Sequence, residues 1–288
     1  MCCSIIFVNH LVKNNVIRIK CGDRKGLIAG ITGVLYSNGH NIVVMREFVD
    51  TATNTFFARL EIDGDLDPSL HADLIATLPA NAEVTLVPVR KKDIVVLVTK
   101  EHHCLADLLV RHHFNELRAN IQAVIGNYDT LKPITEKFDV PFHFISHAGK
   151  SQEEFEKEII STIGSYNPDY LVLAKFMRVL SPAFVSAFEQ RIVNIHHSFL
   201  PAFKGASPYR QAFERGVKLI GATAHIVNNA LDDGPIISQQ IIPVAHHNTL
   251  EDMVEAGHEV EKSVLADALQ MLLDDRIFVS GNKTIVFD

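Results

Sequence analysis

At 288 residues the chain exceeds the size at which one hydrophobic core is usual, so two folding units, or one long α/β unit with an appendage, are expected. Hydrophobic residues make up 47% and charged residues 21%, enough apolar surface for a large core, which excludes wholesale disorder. Lysine and arginine total 27 against 34 aspartates and glutamates, a formal charge of −7 with no basic stripe, so nucleic acid is not an expected partner.

In chain order, the apolar start at residues 5–8 lacks a basic flank and is too short for a secretion signal. No later run approaches the roughly 18 apolar residues of a membrane span, so a soluble cytoplasmic protein with no membrane partner is expected. Residues 16–21 alternate like a half-buried strand and end at the turn Gly22-Asp23-Arg24-Lys25-Gly26. Leu27, Ile28, Ile31, Val34 and Leu35 then fall on one helical face, with Gly39 where a C-terminal glycine cap belongs. Strand-like runs at 41–49 and 55–62 are joined by a polar connection of hairpin length, and a helix at 68–78 and a strand at 82–89 complete the order βαββαβ of a ferredoxin-like sandwich.

Arg90-Lys91-Lys92 marks the boundary between units 1–90 and 91–288. Beyond it, apolar runs at 94–98, 121–125, 140–145, 170–174, 192–195 and 219–227 alternate with helical stretches, the pattern of an α/β, Rossmann-type, mostly parallel sheet with helices on both faces. Ser207 is placed as an N-cap ahead of Pro208, with Gly216 closing that short helix, and a further strand covers 236–243. The last helix starts at Thr249, three residues before Asp252 as in a capping box, with an apolar stripe through Val254, Val260, Val264, Leu265, Ala268 and Leu272.

The chemistry concentrates at the end of strand 192–195. Asn194 and His196 project from one face of an extended chain, at the carboxyl edge where α/β proteins place ligands. The cluster Asn228-Asn229-Ala230-Leu231-Asp232-Asp233-Gly234-Pro235 follows the strand carrying His225, and its carboxylates reach His196 only if the two strands are neighbours. Taken alone, each feature has a plainer reading: a satisfied polar edge for Asn-x-His, solvated turn formers for Asp232 and Asp233, a core imidazole for His225, a surface side chain for Arg178. Lys175 and Lys204 read as solvated and are given no chemistry. The cysteines Cys2, Cys3, Cys21 and Cys104 form no CxxC pair. The adjacent histidine pairs at 102/103, 112/113, 196/197 and 246/247 lack metal-ligand spacing, so most are read as surface residues and no metal is expected. No GxGxxG is present, which removes a nicotinamide-binding reading.

Asn194-Ile195-His196, the segment Leu200-Pro201-Ala202-Phe203-Lys204-Gly205, the strand Ala224-His225-Ile226-Val227, Asp232 with Gly234, and Leu173-Ala174-Lys175-Phe176-Met177-Arg178-Val179-Leu180 together resemble the folate-dependent formyltransferase domain over residues 93–288. The resemblance implies a reduced folate carrying a formyl group on N10 as substrate, with no cofactor beside it. It implies a catalytic trio of Asn194, His196 and Asp232, with Asp233 as the alternative carboxylate. It further implies folate contacts from Phe176, Met177, Arg178, Leu180, His225, Asn229 and Ala230. The first 90 residues resemble the ACT regulatory domain through Asp23-Arg24-Lys25-Gly26-Leu27 and Asn41-Ile42-Val43. That resemblance implies an amino-acid effector, methionine or glycine, bound near Asp23, Gly26, Leu27 and Asn41, and a homo-oligomer formed through these modules.

An ACT-like module ahead of this domain, with no OB-like extension expected after residue 288, implies hydrolysis of 10-formyltetrahydrofolate to formate and tetrahydrofolate. Transfer of the formyl group to a small amine is the alternative. A physical reading also favours water: after the first strand of the second unit, residues 99–104 carry no glycine and include Glu101, so no backbone cradle for an acceptor's phosphate is expected there.

Overall fold

The computed structural model describes residues 14–203, 205 and 207–288; Cys2, Cys3, the run at 5–8 and Lys204 lie outside them. The chain divides into two units. The first runs to Arg90 and takes in Asp274–Phe278 and Phe287–Asp288, and the second comprises Lys91–Leu273 and Val279–Val286. Two short C-terminal pieces therefore group with the first unit, whereas the sequence reading assigns everything after residue 90 to the second.

In the first unit, β1 (Asn15–Gly22), α1 (Leu27–Ser37), β2 (Ile42–Asp50), β3 (Thr55–Ile62), α2 (Pro68–Thr77) and β4 (Glu83–Val87) form an antiparallel sheet ordered β2-β3-β1-β4. Gly26 opens α1 at φ 89°, a left-handed position that suits a residue without Cβ. Ile17, Ile19 and Cys21 of β1 and Phe56, Ala58 and Leu60 of β3 pack against Leu27, Ile31 and Leu35 of α1 and Leu70 and Leu74 of α2. The alternate residues of β3 are buried as well, which its unbroken run Phe56-Phe57-Ala58 foreshadows. Phe57 meets Phe278 edge-on at 5.6 Å, and Arg59 donates to the Asp274 carbonyl at 2.9 Å, so the returning C-terminal segment covers the face that the helices leave. Burial of that segment accounts for its grouping with the first unit.

The second unit is built on β5 (Lys92–Val98), whose residues 94–98 are entirely inaccessible, as a central parallel strand covered on both faces must be. It continues through α3 (His103–His113), β6 (Ala119–Gly126), α4 (Lys132–Glu136), β7 (Phe142–Phe144), α5 (Gln152–Gly164), β8 (Tyr170–Leu173), α6 (Pro182–Ala187), β9 (Ile192–His196), α7 (Pro208–Arg215), β10 (Leu219–Ile226), β11 (Ile236–Pro243) and α8 (Leu250–Leu273). A two-stranded hairpin, β12 (Ile277–Ser280) and β13 (Lys283–Val286), ends the chain. The main sheet is ordered β11-β10-β9-β8-β5-β6-β7, parallel from β9 to β7 and antiparallel at β9/β10 and β10/β11. The α/β architecture expected from the sequence is present, with β7 shorter than the 140–145 run suggested.

Side-chain caps close the starts of α2, α5 and α6, whereas α1, α3, α4 and α7 have none. Thr249 and Asp252 exchange the two bonds of a capping box, 2.7 and 3.1 Å. Ser207 instead adopts a left-handed conformation, φ 53°, and its hydroxyl makes no cap bond; Pro208 at the first helical position lacks an N–H and already sets the helical φ there.

β10 and β11 are joined by the loop that carries Asp232, and this loop passes close enough for a Cβ on Gly234 to fall 1.7 Å from the Ile226 carbonyl oxygen. The Ile226 amide bonds the Pro235 carbonyl at 2.9 Å at the same crossing. Gly234→Ala is expected to lower stability by about 2 kcal/mol or more, read as a shift of the urea midpoint at constant m-value.

Candidate active site

Antiparallel pairing of β9 with β10 sets Asn194 opposite His225 and His196 opposite Thr223. Side chains two apart on β9 share a face, so Asn194 and His196 both border a cleft of about 340 Å³ at the carboxyl ends of β8 and β9. The loop after β10 folds back over β9 and brings Asp232 Oδ1 to 3.3 Å from His196 Nδ1, while Asp232 Oδ2 accepts from the Gly205 amide at 3.3 Å. The neighbouring-strand condition set by the sequence is met. Asp233 is exposed and does not border the cleft.

The hydrogen-bond partners fix the tautomers. His225 Nδ1 faces the Ile226 carbonyl at 3.1 Å and so carries the proton, leaving Nε2 to accept from the Asn194 amide at 3.2 Å. Burial pushes the His225 pKa down, against the opposing pull of that carbonyl and of Asp232, and keeps the imidazole neutral as this arrangement requires. One N–H of Asn194 is thereby used, and the amide plane is set with its second N–H remaining. Burial pushes the Asp232 carboxyl up, but the hydrogen bond and charge of His196 and the Gly205 amide outweigh it and hold the pKa below the ordinary range. An ionised Asp232 accepts only, so neutral His196 keeps its proton on Nδ1 and presents a lone pair on Nε2. That nitrogen is buried and has no hydrogen-bond partner among the described residues.

The residues expected to touch folate also border this cleft. Phe176 is buried in the core against Phe155, and Leu180 packs at the edge of the same core. Met177 and Arg178 are exposed, the guanidinium lying 5.9 Å over the Phe155 ring, so the surface reading and the cleft reading of Arg178 are both partly met. Asn229 and Ala230 are exposed on the loop between His225 and Asp232, and His225 itself lies behind Asn194 in the sheet.

The four residues expected to bind an effector are not brought together within one chain. Asp23, Gly26 and Leu27 lie at the turn after Gly22, which pairs with Thr55; Asn41 precedes Ile42, which pairs with Ile62 at the other end of β3. Leu27 is 4% exposed and belongs to the core, so its side chain is not free to meet a ligand.

Sequence reasoning missed a second group of polar residues. Lys175, read as solvated, is 2% exposed, with its ammonium 3.0 Å from Glu261 and 3.4 Å from Glu101. Glu261 has no exposed surface and also accepts from His103 Nε2 at 2.9 Å and Tyr209 Oη at 2.7 Å. His103, placed at the surface by the pair reading, is buried and stacks on His258 at 3.9 Å. Glu101, His103 and His258 form a group with metal-donor atoms within 4.8 Å of one another, as do His103, Cys104 and Glu261. Their signal in the sequence was a carboxylate inside an apolar stripe: Glu261 lies three and four residues before Val264 and Leu265. His197 stands beside this group, and burial with the Lys175 charge lowers its pKa to about 3.

Comparison with known proteins adds the following. A family model described as formyl transferase matches residues 92–269. A relative named formyltetrahydrofolate deformylase from Escherichia coli strain K12 is 52% identical over 278 residues, covering 96% of this chain and 99% of its own. The crystal structure of a formyltetrahydrofolate deformylase from Pseudomonas syringae pv. tomato superposes with a TM-score of 0.90 at 38% identity, covering 96% of this chain and 94% of that one. A glycinamide ribonucleotide transformylase structure from Symbiobacterium toebii matches with a TM-score of 0.66 at 28% identity, covering 68% of this chain and 94% of that one.

Burial raises the Glu261 pKa, but the His103 hydrogen bond, the Lys175 charge and the Tyr209 hydroxyl together bring it down from 4.5 to about 2. A carboxyl whose pKa is lower folded than unfolded contributes stability in full above pH 4.5 and loses it as pH falls toward 2. Wild type is expected to lose about 3 kcal/mol through this group over that window, and Glu261→Gln to lack that component. Urea midpoints taken across the pH series check both.

Proposed function

The chain belongs to the formyltetrahydrofolate deformylase family, and from that premise we infer how its cleft works. The protein hydrolyses 10-formyltetrahydrofolate to formate and tetrahydrofolate. The observation that carries this reading is the extent of likeness: the deformylases match across both units, 96% of the chain, whereas the transformylase matches 68% of it.

In the mechanism we propose, His196 Nε2 takes a proton from water and the water oxygen bonds the formyl carbon. The carbonyl electron pair moves to its oxygen, where the remaining Asn194 N–H stabilises the developing charge. Asp232 holds the imidazole by Nδ1 and balances its charge while it is protonated. Collapse of the tetrahedral intermediate breaks the bond to N10 as His196 returns the proton to that nitrogen, and the released formic acid ionises to formate. The positioned acid and base contributes about 10² to 10⁴ in rate and the oxyanion donor about 10² to 10³. The reaction so written uses only water and the protein's own side chains, with no cofactor. Folate contacts are assigned to Phe176, Met177, Arg178 and Leu180 on one wall and to Asn229 and Ala230 on the loop before Asp232.

We further propose that the first unit is an ACT-type regulatory module, on the support of its βαββαβ order and its antiparallel β2-β3-β1-β4 sheet. Asn41 lies at the opposite end of the sheet from the 23–27 turn, so a shared effector site needs a second copy of the chain, which favours a homo-oligomer that binds methionine or glycine between modules. On this reading Asn41→Ala abolishes the response of turnover to the two amino acids and leaves the basal rate within about twofold.

The decisive assay supplies 10-formyltetrahydrofolate without any amine and measures formate together with tetrahydrofolate. Equimolar release of both is expected, and turnover that begins only on adding an amine would overturn the hydrolytic reading. His196→Ala is expected to lower kcat by at least about 10² and Asn194→Ala by a similar factor, both with folate binding retained. Asp232→Asn, which removes the negative charge that balances the protonated imidazole and lets an amide N–H face Nδ1 in its place, is expected to behave like His196→Ala, whereas Asp233→Asn is expected to leave kcat within about threefold.

A further inference from the structure

The proposed chemistry makes no use of the most deeply buried cation in the second unit. Lys175 directly follows Ala174 at the end of β8 and has a φ of 63°, in the left-handed region that side chains with a Cβ other than Asn and Asp rarely enter. Such a residue persists only where its surroundings over-determine it. Here the surroundings are ionic. Lys175 Nζ lies 3.0 Å from Glu261 and 3.4 Å from Glu101, and Glu261 is itself held by His103 of α3 and Tyr209 of α7 while being carried by α8. One carboxylate thus joins the turn after β8 to three helices.

The residues just beyond Lys175 form the wall of the cleft assigned to folate. Few bonds hold this wall: the Met177 amide to Thr99 Oγ1 at 3.0 Å, the Arg178 amide to the Phe176 carbonyl at 2.8 Å, and the Gln152 amide group to the Val179 carbonyl at 3.0 Å. Phe176 and Leu180 anchor the ends of this wall to the core, while Met177 and Val179 between them are 49% and 64% exposed, so core packing does not fix these two. The strained link between a rigid strand and this wall is residue 175, and its ammonium is the group that ties the link to the helices behind.

We propose that Lys175 is a positioning residue for the hydrolysis: gripped by Glu261, it holds the left-handed turn that presents residues 176–180 to the folate. The inference rests on the reading that this cleft takes folate. Lys175 borders both the folate cleft and a second cavity of about 280 Å³ that Glu101 and Tyr209 also line, whereas Glu261 borders neither. Because Lys175 acts through the placement of residues 176–180, its contribution falls on folate binding rather than on the chemical step.

Removing one member of a buried pair leaves the other charge uncompensated, so the test is made with both charges removed. Glu261→Gln/Lys175→Met keeps the β-carbon and the strain but lacks the grip, and Glu261→Gln/Lys175→Gly lacks both the grip and the strain, because glycine adopts this φ freely. With formate release as the assay, the methionine variant is expected to raise KM about tenfold with kcat within about threefold of wild type, and the glycine variant to restore KM to within about threefold. Equal KM values for the two, or a loss confined to kcat, would overturn the proposal, since a merely structural pair does not discriminate by backbone strain. Should either double variant fail to fold, Glu261→Gln/Lys175→Gln, which likewise removes both charges, is read the same way: a raised KM with kcat retained supports the role and an unchanged KM overturns it. Ala230→Trp, on the opposite wall, separates the two layers of the argument. If it raises KM while the Lys175 variants do not, only the positioning role fails; if it leaves KM unchanged, the folate reading fails with it.

Discussion

Everything at the site depends on the antiparallel register of β9 against β10. That register sets His225 opposite Asn194 and starts the loop whose return delivers Asp232 to His196. A slip of β9 by one residue turns its side chains to the opposite face, carrying Asn194 and His196 away from the cleft and leaving Asp232 without its partner. The loop can return so closely because Gly234 has no Cβ to meet the Ile226 carbonyl. The placement of Asn194, His196 and Asp232 is thus a consequence of one strand pair and of one close backbone approach beside His225.

Two carboxylates in the second unit show how burial and partners compete. Burial raises the pKa of both Asp232 and Glu261, and in both the net shift is nevertheless downward. For Asp232 the compensating partners are one imidazole and one amide. For Glu261 the partners are a lysine, a histidine and a tyrosine. The same balance of forces therefore holds down the pKa of both carboxylates, with more donors gathered at the one that burial penalises more.

Much of this was legible in the sequence. The period-two spacing of Asn194 and His196, the helical faces and the βαββαβ order are local patterns, and local patterns survive without knowledge of the fold. Asp232 was separable from Asp233 only by motif spacing; in the structure the former borders the cleft and the latter is exposed. What was not legible is long-range pairing of single charges. Lys175 sits in a sequence context that fits a surface turn, and its counter-ion lies on the last long helix, so no local period connects them. Arg59 repeats the lesson in the first unit: a charge between Ala58 and Leu60 is buried because a distant carbonyl, that of Asp274, receives it. The C-terminal pieces that join the first unit escaped the division at residue 90 for the same reason, since composition marks linkers but not the destination of a returning chain.

The choice of water as acceptor also has a physical basis in the loop after β5. A helix start with free backbone N–H groups and a nearby ammonium is an attractive place for an anion. In this chain α3 starts at His103, Lys175 lies close by, and the position is occupied by the chain's own carboxylates. Glu101 stands 3.4 Å from the ammonium at the border of the second cavity, and Glu261 stands 3.0 Å from it in the interior. A phosphorylated acceptor entering there meets a cation already neutralised and a carboxylate that repels it. Water carries no charge and is indifferent to both. With the Lys175 ammonium paired to buried Glu261 and to partly exposed Glu101, the electrostatic reason for an anionic acceptor to approach this helix start is removed.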